Sequence, residues 1–166
     1  LYIVPGSGPI SCEMSTERRH AIVELARRHD IALVENDAFG PLQNGARSPL
    51  VAYAPERCYY FTSLTKCPVR RLRVGLLEVP SSAAPTLCER HMITNWMVTP
   101  LMHEIATRWI EDGTAGRLCD WQRAALAERG KIAREALGGA GVRVGVAGLQ
   151  AWLPCADIGT EARLVE

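Results

Sequence analysis

Cys58-Tyr59-Tyr60-Phe61-Thr62-Ser63-Leu64-Thr65-Lys66 runs through Cys67-Pro68-Val69-Arg70-Arg71 into Leu72-Arg73-Val74-Gly75-Leu76-Leu77-Glu78-Val79, which Pro80 closes. Aromatic residues open the stretch, hydroxyl residues and a lysine follow, and a basic turn leads to a second apolar run. Short apolar runs bounded by turn residues are strands rather than helices. The stretch therefore reads as strand, chemically loaded turn, strand. Toward the N-terminus, Ile31-Ala32-Leu33-Val34 is another run too short for a helix, and Leu1-Tyr2-Ile3-Val4 is a third, ended by Pro5-Gly6-Ser7-Gly8-Pro9. Between these two lies a helical pattern over 15 to 29, with Ser15 as N-cap and Ile22, Leu25, Ala26 and His29 at i, i+3, i+4 and i+7. Strand, helix, strand with so short a second connection is a βαβ unit whose strands are parallel and buried on both faces. The fold class is α/β.

Beyond Pro80 the pattern turns helical from Ala83 to about Asp112, offering Met92, Trp96, Met102, Ile105 and Trp109 as a buried stripe. Pro100 kinks or divides it. A second long amphipathic helix follows from Arg117 to Leu137, and Gly138-Gly139-Ala140-Gly141 ends it as a hinge. Val142 to Val146 and Leu149 to Pro154 read as the first strands of a smaller unit. The expected organisation is residues 1–115 as the C-terminal part of a large domain, 116–138 as an interdomain helix and 139–166 as the start of a small α+β domain. The chain opens on an apolar run with no initiator Met, and reads as starting mid-domain.

Composition narrows the function classes. At 166 residues and 48% hydrophobic the chain can bury one ordinary core. Its 19 basic and 18 acidic residues give a net charge of +1, so charge announces no nucleic acid, membrane or acidic partner. The Arg70, Arg71, Arg73 cluster lacks the interleaved aromatics of a nucleic-acid surface. Six cysteines, at positions 12, 58, 67, 88, 119 and 155, show neither a CxxC pair nor zinc spacing, and read as reduced thiols. No apolar run is long enough for a membrane span and no signal peptide opens the chain, so a cytoplasmic protein is expected. His20, His29, His91 and His103 read as satisfied or solvated. Trp96, Trp109, Trp121 and Trp152 read as core or interface anchors.

The chemistry concentrates in the turn after Phe61. An amine that adds to an aldehyde must be neutral part of the time, which neighbouring cationic or apolar groups arrange by lowering its pKa. A phosphate asks for hydroxyl donors and an always-charged guanidinium, and Ser63, Thr65 and Arg73 supply them around Lys66.

Thr62-Ser63-Leu64-Thr65-Lys66 followed by Leu72-Arg73-Val74-Gly75 resembles the lysine segment and Leu-Arg-hydrophobic-Gly tail of the class I/II, fold-type I, pyridoxal phosphate-dependent aminotransferases. The likeness is greatest to aminoadipate-aminotransferase-like enzymes and to the aminotransferase-like domains of MocR-type regulators. Glu35-Asn36-Asp37-Ala38-Phe39-Gly40 is similar to the family's Glu-Asp-Asp-x-Tyr-Gly strand end, and Pro5 to Met14 to its Asn-Pro-Thr-Gly loop. The resemblance implies a three-layer αβα large domain, here incomplete, with pyridoxal 5'-phosphate as cofactor. It implies Lys66 as the Schiff-base lysine and catalytic proton carrier, and Ser63, Thr65 and Arg73 around the phosphate. It further implies amino acid and 2-oxo acid substrates, a homodimer, and nucleic-acid binding only where a DNA-binding domain precedes residue 1.

The departures from the family pattern fall on the ring side of the cofactor. The pyridine-partner position holds Asn36, with Asp37 beside it, and an amide cannot hold a pyridinium as a carboxylate does. Which of the two serves depends on the face each presents, because neighbours on a strand point to opposite sides. Phe39 replaces the Tyr, Gly8 stands where the loop Asn is expected, and Arg70-Arg71 replaces Pro-Gly. Two readings follow: an aminotransferase acting through Lys66, or a non-catalytic effector-binding domain of a MocR/GntR-type regulator or a decayed paralogue.

Overall fold

The computed structural model describes residues 1–5, 14–43, 48–66, 72–145 and 150–155. Four strands form one sheet in the order β1 (Tyr2–Ile3), β2 (Leu33–Asn36), β3 (Cys58–Ser63), β4 (Gly75–Glu78). The first three run parallel and β4 returns antiparallel at the edge. Helix α1 (Thr16–Arg28) is the crossover between β1 and β2, which makes the expected βαβ unit. Ser15 caps α1, its Oγ accepting the Arg18 N–H at 3.2 Å, an interaction whose loss costs about 1 kcal/mol. The helix stops where Asp30 turns left-handed at φ 50°, and the Ile31 N–H closes back on the Ala26 carbonyl.

Strand β2 sits two residues later than the apolar run suggests, and its fully buried centre includes a charge. Leu33 and Glu35 are both 0% exposed. Glu35 is held by Arg19 at 2.8 Å and by the Leu50 N–H at 2.6 Å, as a carboxylate taken out of water requires. That pair turns α1. Arg19, Val23 and Ala26 face the sheet, whereas Leu25, expected inside, is exposed and His29 is exposed too. Val23, Ala26, Leu33, Leu50, Val51, Ala54 and Cys58 form the core on this side, each large side chain contributing about 1.5–3 kcal/mol on burial.

Pro100 divides the next helical region into α2 (Ala84–Asn95) and α3 (Pro100–Glu111). Only the second half of the expected stripe is inward. Met102, Ile105 and Trp109 pack on Leu64, Leu72, Val74 and Ala106, while α2 buries no residue and Met92 and Trp96 are exposed. Trp121 is 70% exposed, so it is not a core anchor. Helix α4 (Thr114–Leu137) spans 24 residues, led in by left-handed Gly113. It ends on a 3₁₀ turn, Gly138–Ala140, with Gly141 at φ 73°. β5 (Arg143–Val144) and β6 (Ala151–Trp152) then pair antiparallel, within the stretches that read as strands.

Among the described residues no helix is long and apolar enough to cross a membrane. The cysteine expectation needs correction: Cys58, Cys88 and Cys155 are free, but Cys119 is disulfide-bonded.

Candidate functional site

The carboxyl ends of β2 and β3 lie side by side, in register from Leu33 opposite Cys58 to Asn36 opposite Phe61. Ligands of open α/β sheets bind outside such strand ends. Alternation along the strands sorts the side chains. Glu35, Tyr60 and Thr62 share one face with Asp37, whereas Asn36 shares the other with Tyr2.

Hydrogen bonding bears this out. The Asn36 amide donates to the Tyr2 hydroxyl at 2.6 Å and its Oδ1 accepts the Ala38 N–H at 3.3 Å, which is a local Asx turn. Asp37 Oδ2 accepts from the Tyr60 hydroxyl at 3.1 Å, and the Asp37 carbonyl accepts from Thr62 Oγ1 at 3.0 Å. Burial pushes the Asp37 carboxyl up to about 6, with the Tyr60 hydrogen bond opposing and the Glu35 charge assisting. The same burial, reinforced by the Asp37 charge, holds the Tyr60 phenol well above its ordinary value. A Cβ at Gly40 would meet Asp37 Oδ2 at 2.1 Å, so any side chain there would displace that carboxylate.

Lys66 follows β3 after a turn pinned by the Leu64 N–H on the Val74 carbonyl at 3.1 Å. Its Nζ stands 5.3 Å from the centre of the Phe39 ring, a cation–π distance. Phe39 in turn packs against Leu42, Cys119 and Leu126, which brings α4 beneath the site. Gln122 on α4 donates to the Lys66 carbonyl at 3.0 Å, and Arg123 to the Pro41 carbonyl at 3.1 Å. Ser63 and Thr65 are half-buried and Arg73 is exposed. Arg73 adopts φ 55° and, with His91, Asn95 and Thr99, lines a cleft of ≈ 440 Å³ between β4 and the α2–α3 junction.

Sequence-derived residues therefore separate into groups. Lys66 and Phe39 meet; Asp37 joins Tyr60 and Thr62; Asn36 turns to Tyr2. Gly8, Arg70 and Arg71 lie outside the described residues. Tyr60 and Gln122 were not singled out from sequence. Tyr60 is detectable by its two-residue alternation with Thr62, but nothing in the sequence links Gln122 to a residue 56 positions earlier.

Comparison with solved structures gives kynurenine aminotransferase of Pyrococcus horikoshii with a TM-score of 0.84 at 20% identity, over 96% of this chain and 42% of that one. The fold is that of a fold-type I aminotransferase. LysN, the α-aminoadipate aminotransferase of Thermus thermophilus, shares this aminotransferase fold with a TM-score of 0.76 at 20% identity, over 86% of this chain and 39% of that one. In sequence, the chain is similar to two uncharacterized HTH-type transcriptional regulators of Bacillus subtilis. It is 29% identical to YisV over 133 residues and 23% identical to YdeF over 150. These alignments take in 78% and 88% of this chain but 28% and 32% of the regulators, so the chain spans about a third of their length. No family model matches. The aminotransferase fold thus occurs here in a chain whose sequence relatives carry the names of regulators.

Proposed function

We propose that this chain is the cofactor-anchoring part of an aminotransferase-like effector domain in a transcription regulator, with pyridoxal 5'-phosphate held by Lys66. The observation that carries the reading is the aminotransferase fold in a chain whose curated relatives are HTH-type regulators.

The residues suit the cofactor in three respects. Lys66 presents an exposed amine over an apolar ring. Ser63 and Thr65 offer hydroxyl donors immediately before it, and Arg73 a charge for the phosphate. Asp37 supplies a carboxyl poised near neutrality, which a pyridinium would draw into its charged form. Asp37 therefore takes the ring-nitrogen role in place of Asn36, and Tyr60 orients it. Bound pyridoxal phosphate supplies an electron sink for bonds at an amino acid's Cα. Lys66 would hold the aldehyde end of the cofactor, and its amine would be the group able to carry a proton there. The domain is read as cytoplasmic and homodimeric, with an amino acid as its effector and DNA as the partner of the regulator as a whole.

A second reading, amino-group transfer to a 2-oxo acid, is favoured by the Asp37–Tyr60 hydrogen bond, because a held carboxylate is what turnover needs on the ring side. The full-length protein mixed with pyridoxal phosphate should develop a visible absorbance band that Lys66→Ala abolishes. A band unaffected by that change refutes the cofactor assignment. If the wild type also forms new amino acid from a supplied 2-oxo acid in repeated turnovers, the enzyme reading replaces the regulator reading.

A further inference from the structure

Cys119, Gln122, Arg123 and Leu126 follow one another on α4 at i, i+3, i+4 and i+7, which makes them one stripe of the helix. The ends of the stripe are apolar and pack against Leu42 and Phe39. Its middle is polar and half-buried. A stripe that served packing alone would be apolar throughout, because polar groups drawn out of water cost free energy unless they are bonded. Both middle residues are bonded, each to a main-chain carbonyl of the candidate site. Gln122 donates to that of Lys66 at 3.0 Å and Arg123 to that of Pro41 at 3.1 Å, while Asp120, one turn earlier, steadies the Arg123 guanidinium at 3.0 Å.

The two partners of the Lys66–Phe39 contact arrive on different segments, one after β3 and the other after β2. Phe39 takes its place from Leu42, Cys119 and Leu126. Lys66 takes its place from two pins: the Leu64–Val74 bond within the β3–β4 pair, and Gln122 from outside that pair. The 5.3 Å between the Lys66 Nζ and the ring centre is thus referred on both sides to one 24-residue helix. The amide matters chemically, since its N–H donates to the carbonyl, whereas the carboxylate of a glutamate, equal in shape, offers only acceptors. We propose that Gln122 is a positioning residue: by holding the Lys66 main chain to α4, it keeps the Lys66 amine over the Phe39 ring, where that amine would meet the cofactor's aldehyde. The role toward the aldehyde rests on Lys66 being the cofactor lysine; the placement over Phe39 does not.

Reductive methylation with isotope-labelled formaldehyde marks the amines of the full-length protein without cofactor, and Lys66→Arg identifies the Lys66 resonance by deleting it. Methyl protons above an aromatic ring are shifted upfield. The Lys66 signal should therefore lie upfield of that of Lys131, which is exposed on α4, and Phe39→Leu should abolish the separation. Gln122→Ala and the shape-keeping Gln122→Glu should each reduce it by at least half. Ser15→Ala, which removes the α1 cap and lowers stability at a distance, should leave it unchanged. With pyridoxal phosphate added to unmethylated protein, both Gln122 variants should develop the Lys66-dependent visible band several-fold more slowly than the wild type. No separation in the wild type, a separation kept in both Gln122 variants, or one reduced equally by Ser15→Ala overturns the proposal, as does a wild-type band that the variants develop at the same rate. A wild type that forms no band refutes the cofactor reading instead, and the methyl resonances then decide the placement by themselves.

Discussion

Replacing Asp37 with Asn removes an ionisation that the folded chain opposes. The carboxyl moves from 3.8 to about 6 on folding, chiefly through burial. At ~1.4 kcal/mol per pH unit this sets a ceiling near 3 kcal/mol. The side chain is still partly open to water, and screening brings the figure to roughly 1–2 kcal/mol. The sign follows from proton binding. Between about pH 4 and pH 6 the folded state holds this proton and the unfolded chain does not, so stability falls as pH rises through that window. The penalty is complete above it. Asn carries no charge and its Oδ1 still accepts from Tyr60, so Asp37→Asn should match the wild type near pH 4 and exceed it by ~1–2 kcal/mol at pH 7.5. Urea unfolding followed by tryptophan fluorescence at pH 4.5, 5.5, 6.5 and 7.5 measures the difference directly. A wild-type-minus-variant difference that stays constant across these pH values, or that runs the other way, refutes the assignment of burial as the dominant cause.

Two further perturbations probe the same corner. Glu35→Gln leaves the Arg19 guanidinium buried without its counter-charge and should cost ~3–5 kcal/mol in urea unfolding; adding Arg19→Met should restore at least half of that loss. Gly40→Ala would drive a methyl into the Asp37 carboxylate, detaching it from Tyr60, and should destabilise by ~1–3 kcal/mol while erasing the Asp37-dependent slope between pH 4 and 6 in the same titrations.

Local signals in the sequence were the readable part. The βαβ unit, the Ser15 cap, the division at Pro100 and the terminal strand pair all rest on short-range patterns that the structure keeps. What escaped was set by distant partners. α1 presents Arg19 rather than Leu25 to the sheet because a buried carboxylate on β2 demands a cation, and an apolar count along the helix cannot contain that demand. The apolar residues of α2 look like a core stripe but meet none of the described core clusters. The candidate site was half legible. Lys66 and its hydroxyl neighbours stand out as a motif, while the faces that Asn36 and Asp37 present needed the register of β2 against β3. Gln122 and the bonded state of Cys119 depend on where α4 lies, and no nearby residue encodes that.

The opposite facing of Asn36 and Asp37 makes their strand end sensitive to parity. A substitution at one position cannot do the work of the other, since the group it introduces is delivered to Tyr2 or to Tyr60 according to odd or even count along β2. Asn36→Asp would set a carboxylate against a phenol on the β1 side and leave the Tyr60 side unchanged. A one-residue insertion within β2, by contrast, would exchange the two deliveries at once. A change of frame along the strand therefore alters this site at both positions, whereas a change of residue alters it at one.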